Sequence, residues 1–232
     1  MVRAARAIVD EPIVFVGANL VLVLSVVIIA TLMTVVPAAI VLVPLLALPG
    51  SAILRLASVA LADGVPTLGA AWTEAWRGAG RKLLVAAVQL LLTGLGILNL
   101  LISAGLGGLA GALSGIAGAY GMLAVWGVAT PLWSLLSNPR RDAPVRRQLR
   151  LAAAVVLARP LGILVLLAVA VGSAILSIQL FFPALLLPSF VLLAVAAYVG
   201  EVLDRLDPLP QAAPYSHVED EGLEGSDRGS LE

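Results

Sequence analysis

The sequence predicts an all-α fold: a polytopic helical membrane protein of about six transmembrane helices, arranged as three hairpins with cytoplasmic amphipathic linker helices. Three observations carry this. Pro12–Leu54, Leu83–Asn138 and Pro160–Gly200 contain no Asp, Glu, Lys, Arg or His and together fill more than half of the 232-residue chain. A hydrocarbon core ~30 Å thick takes about 20 apolar helical residues to cross, so each stretch is long enough for two passes. Composition agrees, with 61% of residues hydrophobic and 12% charged, against about 25% charged in a soluble domain. Finally, no basic residue falls in the turn that divides each stretch.

The first stretch divides at Pro37, because proline lacks an amide donor and disrupts a helix interior. Spans are expected near Ile13–Val36 and Ala38–Leu56, with Arg55 at the inner end of the second and able to snorkel towards headgroups. Pro44 and Pro49-Gly50 within the second span predict a kink or an irregular lead-in before a regular helix from Ser51, with a re-entrant pair of half-helices as the alternative. The second stretch divides around Ala104–Gly108 into spans near Leu83–Ser103 and Leu109–Leu136, the latter bent at Pro131. The third divides at Pro183 into Leu161–Phe182 and Leu185–Val202.

Orientation follows from the charges, because short Lys/Arg-rich loops are disfavoured for translocation. Basic residues occupy the N-terminus (Arg3, Arg6), the end of span two and its linker (Arg55, Arg77, Arg81, Lys82), the next linker (Arg140, Arg141, Arg146, Arg147, Arg150, Arg159) and the C-terminal side (Arg205, Arg228). An even number of spans then puts both termini and both linkers in the cytoplasm of a multi-pass protein, expected in a bacterial cytoplasmic (inner) membrane. Met1–Arg6 resembles the basic region of a secretory signal. Asp10 and Glu11 and the length of the following apolar run argue for an uncleaved first span.

Formal charges balance at 14 basic against 14 acidic residues, but residues 1–206 carry 13 basic and 7 acidic. The chain thus divides into a helical membrane domain, 1–206, and an acidic cytoplasmic tail, 207–232. The tail holds Pro208, Pro210, Pro214 and Glu219-Asp-Glu221, and is expected to be disordered for want of apolar content. The basic excess beside apolar segments suits anionic membrane lipids, not nucleic acid. In the first linker Trp72 and Trp76 lie four apart, on one helical face at the depth that indoles prefer. In the second, Arg146 and Arg150 share a face and Arg147 flanks them. Trp72, Trp76, Arg81, Lys82, Arg146, Arg147 and Arg150 are therefore candidate lipid or partner contacts.

Gly107, Gly111 and Gly115 recur every fourth residue, with Ala119 continuing the row, so one smooth face permits close helix packing. Packing within the monomer is expected, and a homodimer interface is the alternative. No Gly-Lys-Ser/Thr follows to make a phosphate loop. Ala112-Leu-Ser-Gly115 resembles the serine setting of rhomboid proteases, but a serine nucleophile needs an adjacent base, and the one histidine, His217, is in the tail. With no cysteine, no Asp, Glu, Lys, Arg or His in the three long apolar stretches and no metal-ligand spacing, no catalytic, metal or cofactor residue is expected. Uncharged polar residues remain: Asn19, Ser25, Thr31, Thr34, Gln89, Thr93, Asn99, Ser103, Ser173, Ser177 and Gln179. Inter-helix hydrogen bonding is their default role.

The chain resembles the YesL-like family of uncharacterised bacterial integral membrane proteins, a domain of unknown function. The resemblance runs over most of Asn19–Asp207. It rests on Pro37-Ala-Ala with Leu48-Pro-Gly-Ser-Ala52, on Asp63-Gly-Val-Pro-Thr67, and on the helix with Trp72, Trp76 and Gly80-Arg-Lys82. It continues through Leu149-Arg-Leu-Ala152, Leu157-Ala-Arg-Pro160 and Pro183-Ala184. The chain departs in having Trp where the family often has Phe in the linker helix, and in its Gly/Ala-rich fourth span. The resemblance implies a non-enzymatic accessory or scaffold role beside carbohydrate ABC transport, with an ABC transporter permease as partner; a transporter or channel for a neutral or lipid-like solute is the alternative.

Overall fold

The computed structural model describes residues 12–62, 65–138, 143–179 and 187–206. Among the described residues the elements are helix α1 (Pro12–Val35), a 3-10 segment (Pro37–Leu46), α2 (Ala47–Leu61), α3 (Leu68–Trp76), α4 (Ala79–Leu106), α5 (Gly108–Leu136), α6 (Val145–Ala158), α7 (Pro160–Gln179) and α8 (Leu187–Leu206). The first span, the 3-10 segment with α2, α4, α5 and α8 are each long and apolar enough to cross a membrane. The bent pair α6–α7 contributes a sixth crossing if counted as one. The protein is thus a polytopic helical membrane protein. The turn at Pro183, the tail, His217, Arg3, Arg6, Arg140, Arg141 and Arg228 lie outside the described residues.

The second span is continuous over Pro37–Leu61, so it is not a re-entrant pair. Its irregular lead-in is 3-10, and the regular helix starts at Ala47, not at Ser51. Pro37 opens the segment and Pro44 lies within it, where the missing amide cannot serve an α ladder. At about 2.0 Å per 3-10 residue and 1.5 Å per α residue, Arg55 lies roughly 33 Å from Pro37, the far edge of a ~30 Å core. Its Nη1 is buried without a hydrogen-bond partner among the described residues.

Two apolar clusters hold the bundle together, and both include α8. Phe15, Ala18, Ala52, Ile53, Leu56, Ala71 and Ala75 pack with Leu193 and Ala196. Leu132, Leu135, Ala152, Val155, Ile163 and Leu166 pack with Val195, Val199, Val202 and Leu203. The last helix is therefore buried between the first half of the chain and the second.

The α4–α5 hairpin lies at the side of this core and closes at Gly107, whose φ of 61° takes it out of the helix. Gly107 is accordingly in the turn, not on the packing row expected of it. The row that faces α4 is Gly111, Gly115 and Gly118. A methyl on Gly111 would lie 2.6 Å from the Ser103 carbonyl oxygen, one on Gly115 3.5 Å from Ser103 Cβ, and one on Gly118 2.6 Å from Asn99 Nδ2. Ala119, expected to continue the row, is exposed. The close approach is thus made inside one chain.

The break between α6 and α7 falls at Arg159, with φ −146° and ψ 68°. Pro160 sterically drives the residue before it out of the helical region, and the two helices meet at 100°. Tyr198 Oη donates to the Arg159 carbonyl at 3.2 Å, and its ring lies against Gly162, where a side chain would collide with it. The elbow is thereby fixed to α8.

Candidate functional site

Two features stand out: a platform at the linker end of the bundle, and a cavity within the spans. In the platform, α3 docks on α1 and α2 through buried Ala71 and Ala75. Trp72 and Trp76, on the next strip of the helix, remain exposed, with ring centroids 6.4 Å apart in an edge-to-face arrangement. Indoles in this position present an apolar ring and one N–H donor, which suits the headgroup layer.

After Trp76 the chain reverses at Gly78, whose φ of 67° is left-handed. Span three therefore starts at Ala79, and Arg81 and Lys82 belong to its first turn. Lys82 was expected among the outward contacts; it is instead 4% exposed. Its Nζ donates to the carbonyls of Glu74 at 2.9 Å and Ala75 at 3.0 Å. These are carbonyls of the last turn of α3, which have no donor inside the helix. The ammonium is thus held by the linker itself and presents nothing to a lipid or partner. Arg81 is exposed, and its Nη1 donates to the Ala143 carbonyl at 3.3 Å, just ahead of α6. This bond ties the start of span three to the second linker.

At 100° per residue, Gln148, Ala152 and Val155 lie within an arc of about 60° on α6, while Arg146 and Arg150 stand about 160° from Gln148. The structure follows this pattern. Gln148, Ala152 and Val155 are buried and Arg146, Arg147 and Arg150 are exposed. Gln148 Nε2 reaches the Leu135 carbonyl in the last turn of α5 at 3.4 Å, an acceptor it shares with the Asn138 N–H. Trp72, Trp76, Arg81, Arg146, Arg147 and Arg150 are therefore all exposed on the linker side, and Lys82 is not.

The cavity measures about 390 Å³ and is partly open, within the roughly 300–1,000 Å³ of ligand pockets. It is walled by the 3-10 segment and α2 (Val43, Pro44, Gly50, Ser51), α4, α5, α7 and α8. Ala86 to Thr93 on α4 lie about 10–21 Å from the start of that helix, which places the cavity near mid-depth. Its polar groups form two rungs between α4 and α5. Trp133 Nε1 donates to Gln89 Oε1 at 2.8 Å, and Trp126 Nε1 donates to Thr93 Oγ1 at 3.2 Å.

The spacing on each helix makes these rungs. Gln89 and Thr93 are four residues apart and Trp126 and Trp133 seven apart, so each pair shares a face. The sequence marks Gln89 and Thr93 as candidate inter-helix hydrogen-bonding residues but does not single out the indoles. The seven-residue Trp spacing was the signal. Asn99, one step further along, serves a different purpose: its Nδ2 donates to the Ser114 carbonyl at 3.0 Å, and Ser114 Oγ donates to Asn99 Oδ1 at 2.9 Å. The serine singled out by its local motif is thus an inter-helix hydrogen-bonding residue, with an amide beside it where a nucleophile would need a base.

An all-helical bundle with five or six helices apolar and long enough to cross a membrane defines the class: a multi-pass integral membrane protein, here with an apolar cavity between its spans and exposed Trp and Arg side chains on its linkers. No family model, curated protein or solved structure matches the chain.

Proposed function

We propose that this protein is a non-enzymatic accessory or scaffold of the bacterial inner membrane, associated with carbohydrate ABC transport and related to the YesL-like family. The observation that carries the reading is the platform. Two amphipathic linker helices, α3 and α6, leave Trp72, Trp76, Arg146, Arg147 and Arg150 exposed, and the Arg81–Ala143 bond ties the start of α4, just after α3, to the segment ahead of α6. The guanidinium groups offer planar, charge-assisted donors to lipid phosphates or to acidic side chains of a permease, while the indoles anchor the surface at the headgroup level. The positive charges of this end support a cytoplasmic side for it and for both termini. Recovery of a stoichiometric permease with tagged protein extracted in mild detergent is the expected result. Its loss on replacing Arg146, Arg147 and Arg150 together by Gln tests the surface, and an unchanged complex would refute its role.

The cavity favours a second reading, a transporter or channel for a neutral or lipid-like solute. A span that departs from α geometry at the cavity wall, here as a 3-10 segment with Pro44, supports such a reading, because irregular spans often form transport sites. Purified protein in liposomes then gives solute flux across a panel of sugars, polyols and neutral lipids. Absence of flux across the whole panel removes this reading.

A further inference from the structure

The cavity's unspent hydrogen-bonding groups identify the class of molecule it accepts. An indole N–H can only donate, so the Gln89 atom 2.8 Å from Trp133 Nε1 is the amide oxygen. The amide nitrogen is turned away with two N–H donors, and they have no partner among the described residues. Thr93 Oγ1 likewise accepts from Trp126, and its own O–H has no acceptor among the described residues. The other hydroxyls of the wall have their donors spent: Thr130 donates to the Trp126 carbonyl at 2.8 Å and Ser51 to the Leu48 carbonyl at 2.9 Å, while their oxygens can still accept. What remains is the unspent donors of Gln89 and Thr93, one turn apart, with a few acceptor lone pairs beside them, in an otherwise apolar space without an ionisable side chain in its wall.

Unmet donors at mid-membrane depth are costly, because lipid tails offer no acceptor. A molecule that satisfies them must bring acceptor oxygens and be otherwise largely apolar, with room for one hydroxyl against the remaining acceptor lone pairs. A sugar fails this requirement, since most of its hydroxyl groups would be buried without partners. A phosphorylated or carboxylated headgroup fails because no cation in the wall would neutralise it. Residues four apart on a helix hold their side chains about 5–6 Å apart, a spacing that two ester carbonyls of one glycerol backbone can serve. We infer that the cavity is a binding site for a neutral glycerolipid of the diacylglycerol type, its ester carbonyls accepting from Gln89 Nε2 and Thr93 Oγ1 and its chains lying along the apolar wall. This goes beyond the accessory role and does not depend on it, because it is read on the isolated protein while the accessory role is read from co-purification.

The test uses full-length protein in phosphatidylcholine vesicles containing a diacylglycerol with a photoreactive diazirine in one acyl chain. Illumination and peptide mapping are expected to place the label on the walls of the cavity, in α4, α5 or α7. Unlabelled dioleoylglycerol competes for it, and hexadecane, which lacks oxygen, does not. The Gln89→Leu/Thr93→Val double variant loses two hydrogen bonds and requires roughly tenfold more probe for the same labelling, while size-exclusion behaviour shows that it remains folded. Label distributed evenly over the lipid-facing surface would overturn the inference. So would equal competition by hexadecane, which is measured on the wild-type protein and needs no variant.

Discussion

Replacing Lys82 with Met tests how the first linker is held to the bundle. The aliphatic stem is retained and the ammonium removed, so the Glu74 and Ala75 carbonyls lose their donor at a site 4% exposed. An unsatisfied buried polar group costs about 1–3 kcal/mol, or about 2–6 kcal/mol for two. Against this, the variant no longer desolvates an ammonium, which offsets part of that cost. At the lower end of the range the expected net destabilisation of α3 is about 2 kcal/mol, which is roughly a 30-fold larger local opening equilibrium. Amide hydrogen exchange in nanodiscs reads this directly: the α3 amides of the Lys82→Met protein are expected to exchange about 30-fold faster, with α5 and α8 little changed. Exchange in α3 within threefold of wild type would show that Lys82 does not hold the helix end and that the reasoning is wrong.

Two further outcomes follow from the hairpin and its polar contacts. Gly111→Ala places a methyl 2.6 Å from a backbone oxygen, and relieving it by shifting α5 is expected to cost about 1–3 kcal/mol. Gly121→Ala meets nothing within 4 Å and is expected to leave the thermal midpoint in detergent unchanged; equal effects of the two would contradict the packing face. For the Asn99–Ser114 contact, a double-mutant cycle with Asn99→Leu and Ser114→Ala is expected to give a coupling of about 0.6 kcal/mol, the average for such bonds in membranes. A coupling indistinguishable from zero would mean the pair adds no stability.

Much of the architecture is legible because a bilayer leaves few ways to satisfy a backbone. Runs free of Asp, Glu, Lys, Arg and His mark the spans, and Pro37, Gly107 and Pro160 mark where helices stop. Arg146, Arg147 and Arg150 were legible for the same reason, since α6 alternates buried and charged strips with helical period. Lys82 was misread because its role is tertiary. A lysine beside Arg81 in a basic linker carries the same local signal whether it points out or caps a neighbouring helix, and only the reversal at Gly78 decides. Gly107 was misread because a regular four-residue spacing does not show that the helix begins one residue later. The rungs of the cavity escaped notice because each joins residues more than 30 positions apart, Thr93 with Trp126 and Gln89 with Trp133.

The account rests most heavily on both linkers sharing one side of the membrane while the α4–α5 turn lies on the other. The chain contains no cysteine, so single cysteines can be placed without background. Leu106→Cys marks the turn, Trp76→Cys the first linker and Arg150→Cys the second, each exposed in the structure. With a membrane-impermeant maleimide on intact cells, labelling is predicted at position 106 alone, with positions 76 and 150 reacting only after permeabilisation. Labelling of 76 and 150 from opposite sides, or of 106 and 150 from the same side, would contradict the three-hairpin arrangement and the platform built on it.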